Sequence, residues 1–389
     1  MKLKKVSYKL LFLLGLILGI TGLSHAQLSN VGKILQSSKE DANTLVKAYL
    51  NPLGSGFGAD LNTGWTNTAK PHKKLGFDVT VSAALAIVPG SNKTFDVTNI
   101  GLQELQLAKY NNNGDVVPAT SNDVDPIAQG INGNGNTGPL LGAFKDINGD
   151  GNKENLFNFE MPGGTGFGYA PAPEIKAGVG LIMDTDLMLR YVPKVSVKDY
   201  GTFQQFGVGL KHGINHWFPG GNLLPVDLSV MVGYTSQKVS SGFRLTGQDV
   251  AGNNPNVQNR YKNAPETWDG QKIQLKTDAF TFNALVGKTL PVISIYGGVG
   301  YETSSMSVST PGVYPSIRTN DNYNPQNPNG EKPLEVYTID KPIDVQINSK
   351  NGFHALAGFR FRFAIFHISG SYTLANYSSF NVGFGISFR

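Results

Sequence analysis

Apolar and polar residues alternate along much of this chain, most regularly in the segment FNVGFGISFR at residues 380–389. Its bulky apolar side chains occupy every second position, at Phe380, Val382, Phe384, Ile386 and Phe388. Because successive side chains of a β-strand point to opposite faces, this period of two predicts a strand with one bulky apolar face. The other face carries only Asn, Gly and Ser.

The same alternation predicts further strands along the chain. The clear patterns lie at residues 77–87, 175–183, 187–191, 206–210, 226–234, 271–287, 293–301, 353–365 and 368–374. Two weaker patterns lie at 54–66 and 95–107. Together these segments predict about twelve strands, with ten and fourteen as the alternatives. Within 271–287 the apolar positions change from odd to even numbers, so we expect a β-bulge near Thr277.

A helix is predicted before the first strand. Ser38 can accept a hydrogen bond from a backbone amide of the first turn, and the acidic residues that follow suit the positive end of the helix dipole. The apolar residues between 42 and 50 fall on one stripe at helical spacing, and Pro52 and Gly54 are expected to end the helix. We expect this helix either to plug a barrel or to serve only as a packed lead-in.

The predicted connections alternate between long and short. The long ones lie at 109–166, 240–269 and 309–342, and the short ones at 184–186, 288–291 and 364–366. Transmembrane barrels carry long loops outside the cell and short turns on the periplasmic side, so we expect both termini to be periplasmic. One periplasmic connection, at 210–221, is longer and predicts a short interfacial helix that presents Ile214, Trp217 and Phe218. An ordinary capped loop is the alternative.

A closed barrel would explain the bulky apolar face of each strand. In lipid every backbone polar group must be paired within the protein, and strands achieve this only in a closed barrel. We therefore predict an all-β fold, a closed antiparallel transmembrane β-barrel. The competing interpretation is a soluble β-sandwich with the same faces packed inward. Strands longer than the ~5–6 residues usual in soluble sheets favour the barrel.

The N-terminus has the features of a secretory signal peptide. A basic start precedes an apolar run that ends near Leu23, and SHA at 24–26 predicts cleavage near Ala26. An uncleaved anchor is the alternative. The predicted domains are a signal peptide at 1–26, a helical segment at 27–53 that can act as a plug, and a transmembrane barrel at 54–389.

Composition narrows the class of protein further. The chain has 47 Gly, 22 Phe and 15 Tyr but no Cys, which predicts an exported all-β protein without disulfides. Removing the four lysines of the signal peptide leaves 29 of the 33 basic residues against 28 acidic ones, so charge argues against a nucleic-acid partner. We expect a monomer in the outer membrane of a Gram-negative bacterium, with outer-membrane lipid and the barrel-assembly machinery as partners.

Three segments resemble known outer-membrane barrels. They are NPLGSGFGADLNTGW (51–65), FDVTN (95–99) and GVGLKHGINHWFPGGNLLPVDLSVMVGYT (207–235). Together they resemble an uncharacterised Bacteroidota family of outer-membrane barrels, which is distantly similar to the long-chain fatty-acid transporter (FadL-like) type. The transporter type implies a fourteen-stranded barrel with an N-terminal plug. The resemblance is more specific for fold than for function.

Alternation also predicts which side chains line the lumen. The charged candidates are Asp78, Glu174, Lys176, Arg190, Lys211, Asp227, Glu302, Arg360 and Arg362. Such residues can brace the barrel wall against itself, or they can line a path for a solute. Inward-facing glycines, among them Gly207 and Gly209, leave space for the N-terminal helix or for a ligand.

The segment DINGDGNKE at 146–154 has the spacing of a calcium-binding loop. The side chains that would supply oxygen ligands are Asp146, Asn148, Asp150, Asn152 and Glu154. Gly151 stands at the sixth position, as such loops require, but Phe157 stands at the twelfth, where a carboxylate is expected. One interpretation is a structural calcium ion in an outer loop, and the other is an Asn/Asp-rich turn without metal.

Catalysis is not expected from this sequence. The chain contains no Gly-x-Ser-x-Gly, His-Glu-x-x-His or phosphate-binding motif, so we predict that it is not an enzyme.

The first functional hypothesis is passage or uptake of a small or hydrophobic solute, which needs an open lumen and a side opening at the kinked strand near Thr277. The alternative is a structural or surface-binding barrel whose loops bind a partner without transport.

Overall fold

The computed structural model describes residues 34–35, 37–147, 150–197, 201–252, 254–327, 330–349 and 352–388. The predicted signal peptide at 1–26 lies outside these residues. The helices are α1 (Lys39–Asn62) and α2 (Gly247–Ala251), with 3₁₀ turns at Gly90–Asn92, Val97–Asn99, Asn215–Trp217, Gly221–Leu223 and Pro265–Trp268. Among the described residues, no helix has the length and apolar character needed to cross a membrane.

The strands, in chain order, are β1 (Phe77–Ile87), β2 (Thr94–Asp96), β3 (Leu105–Tyr110), β4 (Val116–Pro118), β5 (Ile127–Gln129), β6 (Leu140–Lys145), β7 (Glu154–Glu160), β8 (Tyr169–Gly180), β9 (Thr185–Val197), β10 (Gly201–Gly213), β11 (Asp227–Gly242), β12 (Val257–Gln258), β13 (Lys272–Thr289), β14 (Ile293–Ser309), β15 (Val313–Thr319), β16 (Leu334–Asp340), β17 (Asp344–Asn348), β18 (Gly352–Phe363), β19 (Phe366–Leu374) and β20 (Ser379–Phe388).

Ten of these strands form a closed antiparallel ring. Its order is β1-β8-β9-β10-β11-β13-β14-β18-β19-β20, and β20 pairs back with β1. At this seam Phe77 pairs with Phe388 and Ala86 with Ser379. One extra strand, β17, extends the pairing along β14. The predicted closed barrel is confirmed, and its ten strands lie within the predicted range of ten to fourteen.

The barrel turns its apolar faces outward. On β20 the side chains of Phe380, Val382 and Phe384 are 47, 62 and 56 % exposed, whereas Asn381 on the opposite face is 6 % exposed. A soluble β-sandwich would bury the phenylalanines instead. An outward apolar wall over a fully paired backbone is what the hydrocarbon of a bilayer requires, so the barrel is of the transmembrane type.

Helix α1 is longer than the sequence predicts. It continues through Pro52 and ends at Asn62, so the weak strand predicted at 54–66 is wrong. The glycine-rich second half of the helix lies against the barrel wall, and a Cβ atom at Gly58 would be 1.9 Å from the Oγ of Ser304. The small residues that imitate a strand pattern therefore serve close packing of a helix inside a narrow lumen.

Strand β13 changes phase without a bulge. Its pairing with β11 and β14 continues through Thr277 without a register shift, so the predicted bulge is wrong. Ile273 and Leu275 are buried, whereas Phe280 and Phe282 are 43 % exposed. The apolar residues change sides because the first part of the strand packs inward with the loops and the second part faces lipid.

The connections at one end of the ring fold into a structured layer. We call this end the loop end and the opposite end the turn end. The loop layer consists of the connections 88–168, 243–271 and 310–351. It contains sheets of order β4-β3-β6-β7, β12-β16-β15 and β2-β5, where the sequence predicts irregular loops and, at 95–107, a barrel strand. Several of these strands escape prediction because their apolar and polar residues do not alternate regularly, as in ENLFNFE of β7 and VYPSIRT of β15.

The turn end carries the short connections and the longer connection between β10 and β11, where an interfacial helix is predicted. In place of a continuous helix this connection has two 3₁₀ turns, of which Asn215–Trp217 lies within the predicted segment. Trp217 is 62 % exposed and Phe218 is 48 % exposed, which suits aromatic side chains at a membrane boundary.

Helix α1 enters the barrel from the loop end. Asp41, in its first turn, accepts hydrogen bonds from the backbone amides of Gln103, Glu104 and Leu105 in the loop layer, at 2.7 to 2.9 Å. The chain reaches the turn end only shortly before β1. Ile34 is buried with the apolar core of the loop layer. The N-terminus that we predict to be periplasmic lies outside the described residues.

Candidate functional site

Residues 39–72, which we call the plug segment, run from the loop layer through the lumen to the turn end. Helix α1 forms its first part, and the hydroxyl of Ser38 caps the helix by accepting a hydrogen bond from the amide of Asp41 at 3.3 Å. From Thr63 to the start of β1 the chain has neither helix nor strand. Its buried carbonyl groups therefore need hydrogen-bond donors from the barrel wall.

Arg190 on β9 supplies the first of these donors. Its guanidinium donates to the carbonyl oxygen of Leu61 at 2.9 Å and to that of Thr63. The same group pairs with the carboxylate of Glu174 on β8 at 2.8 Å, and both side chains are 0 % exposed. A buried cation without a partner is costly, so Glu174 allows Arg190 to remain in the lumen and hold the plug segment.

Two buried lysines continue this arrangement toward the turn end. Lys176 on β8 donates two hydrogen bonds at 3.0 and 2.7 Å, and Lys211 on β10 donates two at 3.2 and 3.3 Å. The acceptors are the carbonyl oxygens of Gly64 and Trp65 for Lys176, and those of Thr68 and Lys70 for Lys211. Cations of three neighbouring strands thus bind an irregular backbone that has no partner of its own.

Trp65 anchors the plug segment by filling space on the inner wall. The side chain is 1 % exposed and lies against inward-facing glycines of β10 and β11. A Cβ atom at Gly207, Gly209 or Gly233 would be 2.6 to 3.2 Å from the indole ring. The guanidinium carbon of Arg190 lies 4.0 Å from the indole centroid, close enough for a cation–π interaction. These glycines therefore make room for the N-terminal segment, one of the two predicted roles.

A charged cluster fastens the plug segment near the turn end. The ring of His72 lies between two carboxylates, 3.0 Å from Asp186 and 3.4 Å from Asp78. The backbone amide of His72 also donates to Asp186 at 2.8 Å, and Lys211 lies 3.0 Å from the same carboxylate. The cluster links the end of the plug segment to β1, β9 and β10.

Asp60 is a poorly satisfied polar group in the lumen. Its side chain is 0 % exposed, and neither carboxylate oxygen makes a hydrogen bond of normal geometry within the described residues. The carboxyl groups of Glu174 and Glu302 lie near enough to interact with it, and Glu302 in turn lies 3.4 Å from the ring of His354. A buried carboxyl without a well-formed hydrogen bond is costly, so this position weakens the seating of the plug segment.

The predicted lumen residues divide into two groups. The side chains of seven are 8 % exposed or less and lie inside the barrel: Asp78, Glu174, Lys176, Arg190, Lys211, Glu302 and Arg360. Asp227 and Arg362 lie instead at the mouth of the turn end, where Asp227 is 3.9 Å from Lys70. The interior charges bind the plug segment or each other, which agrees with the bracing role.

The residues that the plug segment itself contributes to the site are not predicted from the sequence. Asp60 and Trp65 fall in the weak strand predicted at 54–66, and His72 lies between that segment and the next predicted strand. One signal that could identify them is the complementary size of residues that lie far apart in the sequence. The large Trp65 precedes β1, and glycines occupy inward positions of β10 and β11 where a large group must fit.

The predicted calcium loop forms the turn between β6 and β7. Asn148 lies outside the described residues. Asp146 accepts a hydrogen bond from the amide of Gly151, Asp150 accepts one from that of Asn152, and Glu154 accepts one from that of Ile147, at 2.8, 2.8 and 3.1 Å. Among the described residues no group of three or more His, Asp or Glu side chains is arranged to hold a metal ion. Calcium binding stays a prediction.

A cleft opens in the loop layer above the plug segment. It has a volume of about 680 Å³ and lies between the β3-β6-β7 strands on one side and β15 and β16 on the other. Leu156, Phe157 and Ile317 contribute apolar surface, and Lys145, Lys153 and Arg318 bring positive charge. Its size falls within the range of roughly 300–1,000 Å³ that is usual for ligand pockets.

The charges around this cleft are partly compensated. Arg318 pairs with Glu335 through two hydrogen bonds at 2.9 and 2.7 Å, and this carboxylate raises the pKa of the guanidinium. Within the described part of the chain, Lys145 and Lys153 form no ion pair, and Lys145 reaches only the hydroxyl of Thr319 at 3.5 Å. The cleft can therefore offer ammonium donors and apolar surface to the same ligand.

Comparison with sequence models of protein families assigns this chain to a family. The pattern described as Family of unknown function (DUF6588) matches residues 3–388. The chain belongs to this family. No curated protein matches the sequence.

Several solved structures are similar to this DUF6588 member. The translocator domain of autotransporter NalP from Neisseria meningitidis is 9 % identical with a TM-score of 0.27, over 82 % of this chain and 90 % of that one. Outer membrane protease OmpT from Escherichia coli is 9 % identical with a TM-score of 0.30, over 80 and 97 %. Ail, the attachment invasion locus protein of Yersinia pestis, is 9 % identical with a TM-score of 0.23, over 81 and 100 %. The resemblance to the fatty-acid transporter type stays a prediction.

Proposed function

We propose that this protein is an outer-membrane β-barrel that its own plug segment closes to passage and that binds a partner outside the cell through its loop layer. The observation that carries this proposal is the filling of the lumen by residues 39–72. The outward apolar wall supports a membrane position, and the predicted signal peptide supports export to the outer membrane.

The plug segment contacts opposite sides of the ring. Arg190 holds it from β9, and across the lumen the amide of Asn62 donates to the carbonyl of Thr303 on β14 at 3.3 Å. The hydroxyl oxygens of Thr63 and of Thr373 on β19 lie 2.9 Å apart. Two cavities beside the segment measure about 10 Å³ each, which is room for about one water molecule. A solute would have to displace the segment to pass.

The permeability of liposomes that contain the protein tests whether the plug segment closes the lumen. Liposomes that contain the purified mature protein are expected to swell in sugar solutions no faster than protein-free liposomes, with an open porin as the positive control. Swelling whose rate falls as the sugar becomes larger would indicate an open lumen and would refute the proposal.

Ligand capture tests the role of the loop layer. Gln106 lines the cleft and is exposed, so Gln106→Trp is expected to obstruct it without disturbing the barrel. The control is Asn113→Trp, in an exposed turn that does not line the cleft. On an array of neutral and acidic glycans, wild type and control should share a binding pattern that Gln106→Trp loses. An identical pattern for all three proteins would contradict a function for the cleft.

Solute passage after displacement of the plug segment is the second candidate. The observation that favours it is Asp60, because a buried carboxyl without a well-formed hydrogen bond lowers the cost of removing the segment. This candidate predicts that the intact barrel is closed and that variants of the anchoring cations leak. The conductance of Arg190 variants distinguishes it from a barrel that is permanently closed.

A further inference from the structure

The outer wall of the barrel carries a group of lysines at one level. Lys238 on β11 and Lys276 on β13 are direct partners in the strand register. Both occupy even-numbered positions of their strands, on the same face as the outward-facing Tyr234 and Phe280, which are 39 and 43 % exposed. Lys272, two outward positions beyond Lys276, extends the group toward the loop end. We call these three residues the lysine cluster.

The lysine cluster lies at the edge of the apolar wall that is nearest the loop end. Along β13 the outward positions from Val286 to Phe280 are apolar, and Lys288 stands beyond them at the turn end. Lys276 and Lys288 are about 12 residues apart, which at ~3.3 Å per residue and a tilt of ~45° places them roughly 28 Å apart along the membrane normal. That separation matches the hydrocarbon thickness of a bilayer, so the cluster lies at the level of the lipid headgroups.

Positive charge in the lysine cluster exceeds the negative charge beside it. Asp278 pairs with Lys276 at 2.9 Å and also accepts a hydrogen bond from the hydroxyl of Tyr234 at 2.8 Å. Within the described residues Lys238 forms no ion pair. Like charges directly opposite each other in a sheet repel, and Asp278 compensates only one of the three lysines, so the cluster keeps a net positive charge that a further anion would balance.

The described residues of β1, β19 and β20, on the opposite side of the ring, carry no lysine or arginine at outward positions near the loop end. On the opposite side the outward positions at the same end of the strands are apolar, for example Ile87 on β1, Leu374 on β19 and Phe380 on β20. Leu374 and Phe380 are 59 and 47 % exposed. A general attraction to the membrane would not require this asymmetry, whereas a discrete anionic group bound at β11 and β13 would require it.

We propose that the lysine cluster binds the phosphate groups of a lipid headgroup in the outer leaflet. A phosphate carries up to two negative charges and several acceptor oxygens, which suit the donors of Lys238 and Lys276, while the acyl chains lie against Tyr234, Phe280 and Phe282. The inference rests on the outer-membrane position of the proposed function, but it does not depend on whether the lumen is closed.

Lipid binding by the purified protein tests this inference. The probe is bisphosphorylated lipid A added to the protein in neutral detergent, with bound lipid counted by native mass spectrometry. The variant is Lys238→Gln together with Lys276→Gln. Its matched control, Lys73→Gln with Lys74→Gln, removes the same charge from exposed residues at the turn end. We expect the cluster variant to bind lipid A at least about tenfold more weakly and the control to bind like wild type.

Two further arms make the result decisive. Lipid A stripped of its phosphates should bind wild type as weakly as intact lipid A binds the cluster variant, and Lys238→Arg with Lys276→Arg should keep binding because it keeps the charge. Equal binding of intact and stripped lipid, or equally tight binding of inorganic phosphate, would overturn the inference. Retained heat-modifiable migration on gels shows that each variant is folded. Failure of lipid binding would leave the swelling result of the proposed function unchanged.

Discussion

Trp65 occupies the space that Gly209 leaves open on the inner wall: a Cβ atom at position 209 would lie 2.8 Å from Cζ3 of the indole. One of these residues precedes the first barrel strand and the other lies in β10, so the contact joins the plug segment to a wall that is formed much later in the chain. The plug segment and the barrel therefore fold as one structure, and the lumen is part of the protein core.

Enlarging Gly209 should destabilise the barrel by displacing Trp65. We expect Gly209→Val to lower the free energy of unfolding by about 1–3 kcal/mol, the usual cost of forcing extra carbon into a packed interior. Urea titration in detergent micelles measures it. The control is Gly90→Ala, because a Cβ atom at position 90 meets no other atom within 4 Å. Equal stability of the two variants would show that Trp65 does not rest on the glycines.

Removing Arg190 should both destabilise the barrel and loosen the plug segment. Arg190→Leu leaves Glu174 buried without its cation, which should cost about 3–5 kcal/mol of stability. Arg190→Leu with Glu174→Leu should recover much of that loss, yet it still lacks donors for the carbonyls of Leu61 and Thr63. If the second candidate function is right, both variants should show conductance in planar bilayers. The control Arg362→Gln, at the mouth, should not.

The entry of the chain from the loop end predicts a surface-accessible N-terminal region. The protein has no cysteine, so single substitutions can be labelled without background. Glu40→Cys should react with a membrane-impermeant maleimide on intact cells, and Lys74→Cys, exposed at the turn end, should react only after the outer membrane is opened. The reverse pattern would mean that the barrel is inserted with its loop layer toward the periplasm.

Calcium binding at the turn between β6 and β7 can be tested by proteolysis. If the loop binds calcium, adding the ion to protein stripped with chelator should slow cleavage near residues 146–154, and Asp146→Asn with Asp150→Asn should abolish the effect. The matched control is Asp115→Asn, since Asn111 and Asp115 form another Asn/Asp-rich turn with similar hydrogen bonds. If calcium does not change the cleavage rate of the wild type, the segment is an Asn/Asp-rich turn that does not bind the metal.

The membrane-facing part of the fold follows from the sequence because its chemistry has a strict period. Lipid on one side and a filled lumen on the other force alternation, so β20 and its apolar residues from Phe380 to Phe388 are predicted correctly. The two-residue period no longer predicts which side chains face outward where the surroundings of a strand change along its length. In β13 the apolar side chains of Leu275 and Phe280 face opposite sides because one packs beneath loops and the other meets lipid.

The candidate site is predicted only in part, since its two halves are far apart in sequence. The interior charges such as Lys176 and Lys211 are visible from alternation, but their acceptors are backbone carbonyls, which carry no sequence signal. Gly54, Gly56 and Gly58 suggest strand or loop on propensity, and only packing against the wall keeps them helical. The loop-layer cleft arises between separate loops, so no single segment encodes it.

Disulfide formation between the plug segment and the wall tests the central claim most directly. The hydroxyl oxygens of Thr63 and Thr373 lie 2.9 Å apart, so Thr63→Cys with Thr373→Cys should cross-link nearly completely under mild oxidation in native membranes. The comparison pair, Thr63→Cys with Ser229→Cys, places its second cysteine at a buried position of β11 on a different part of the ring and should stay reduced. Equal and low cross-linking of both pairs would show that residues 39–72 do not occupy the lumen as described.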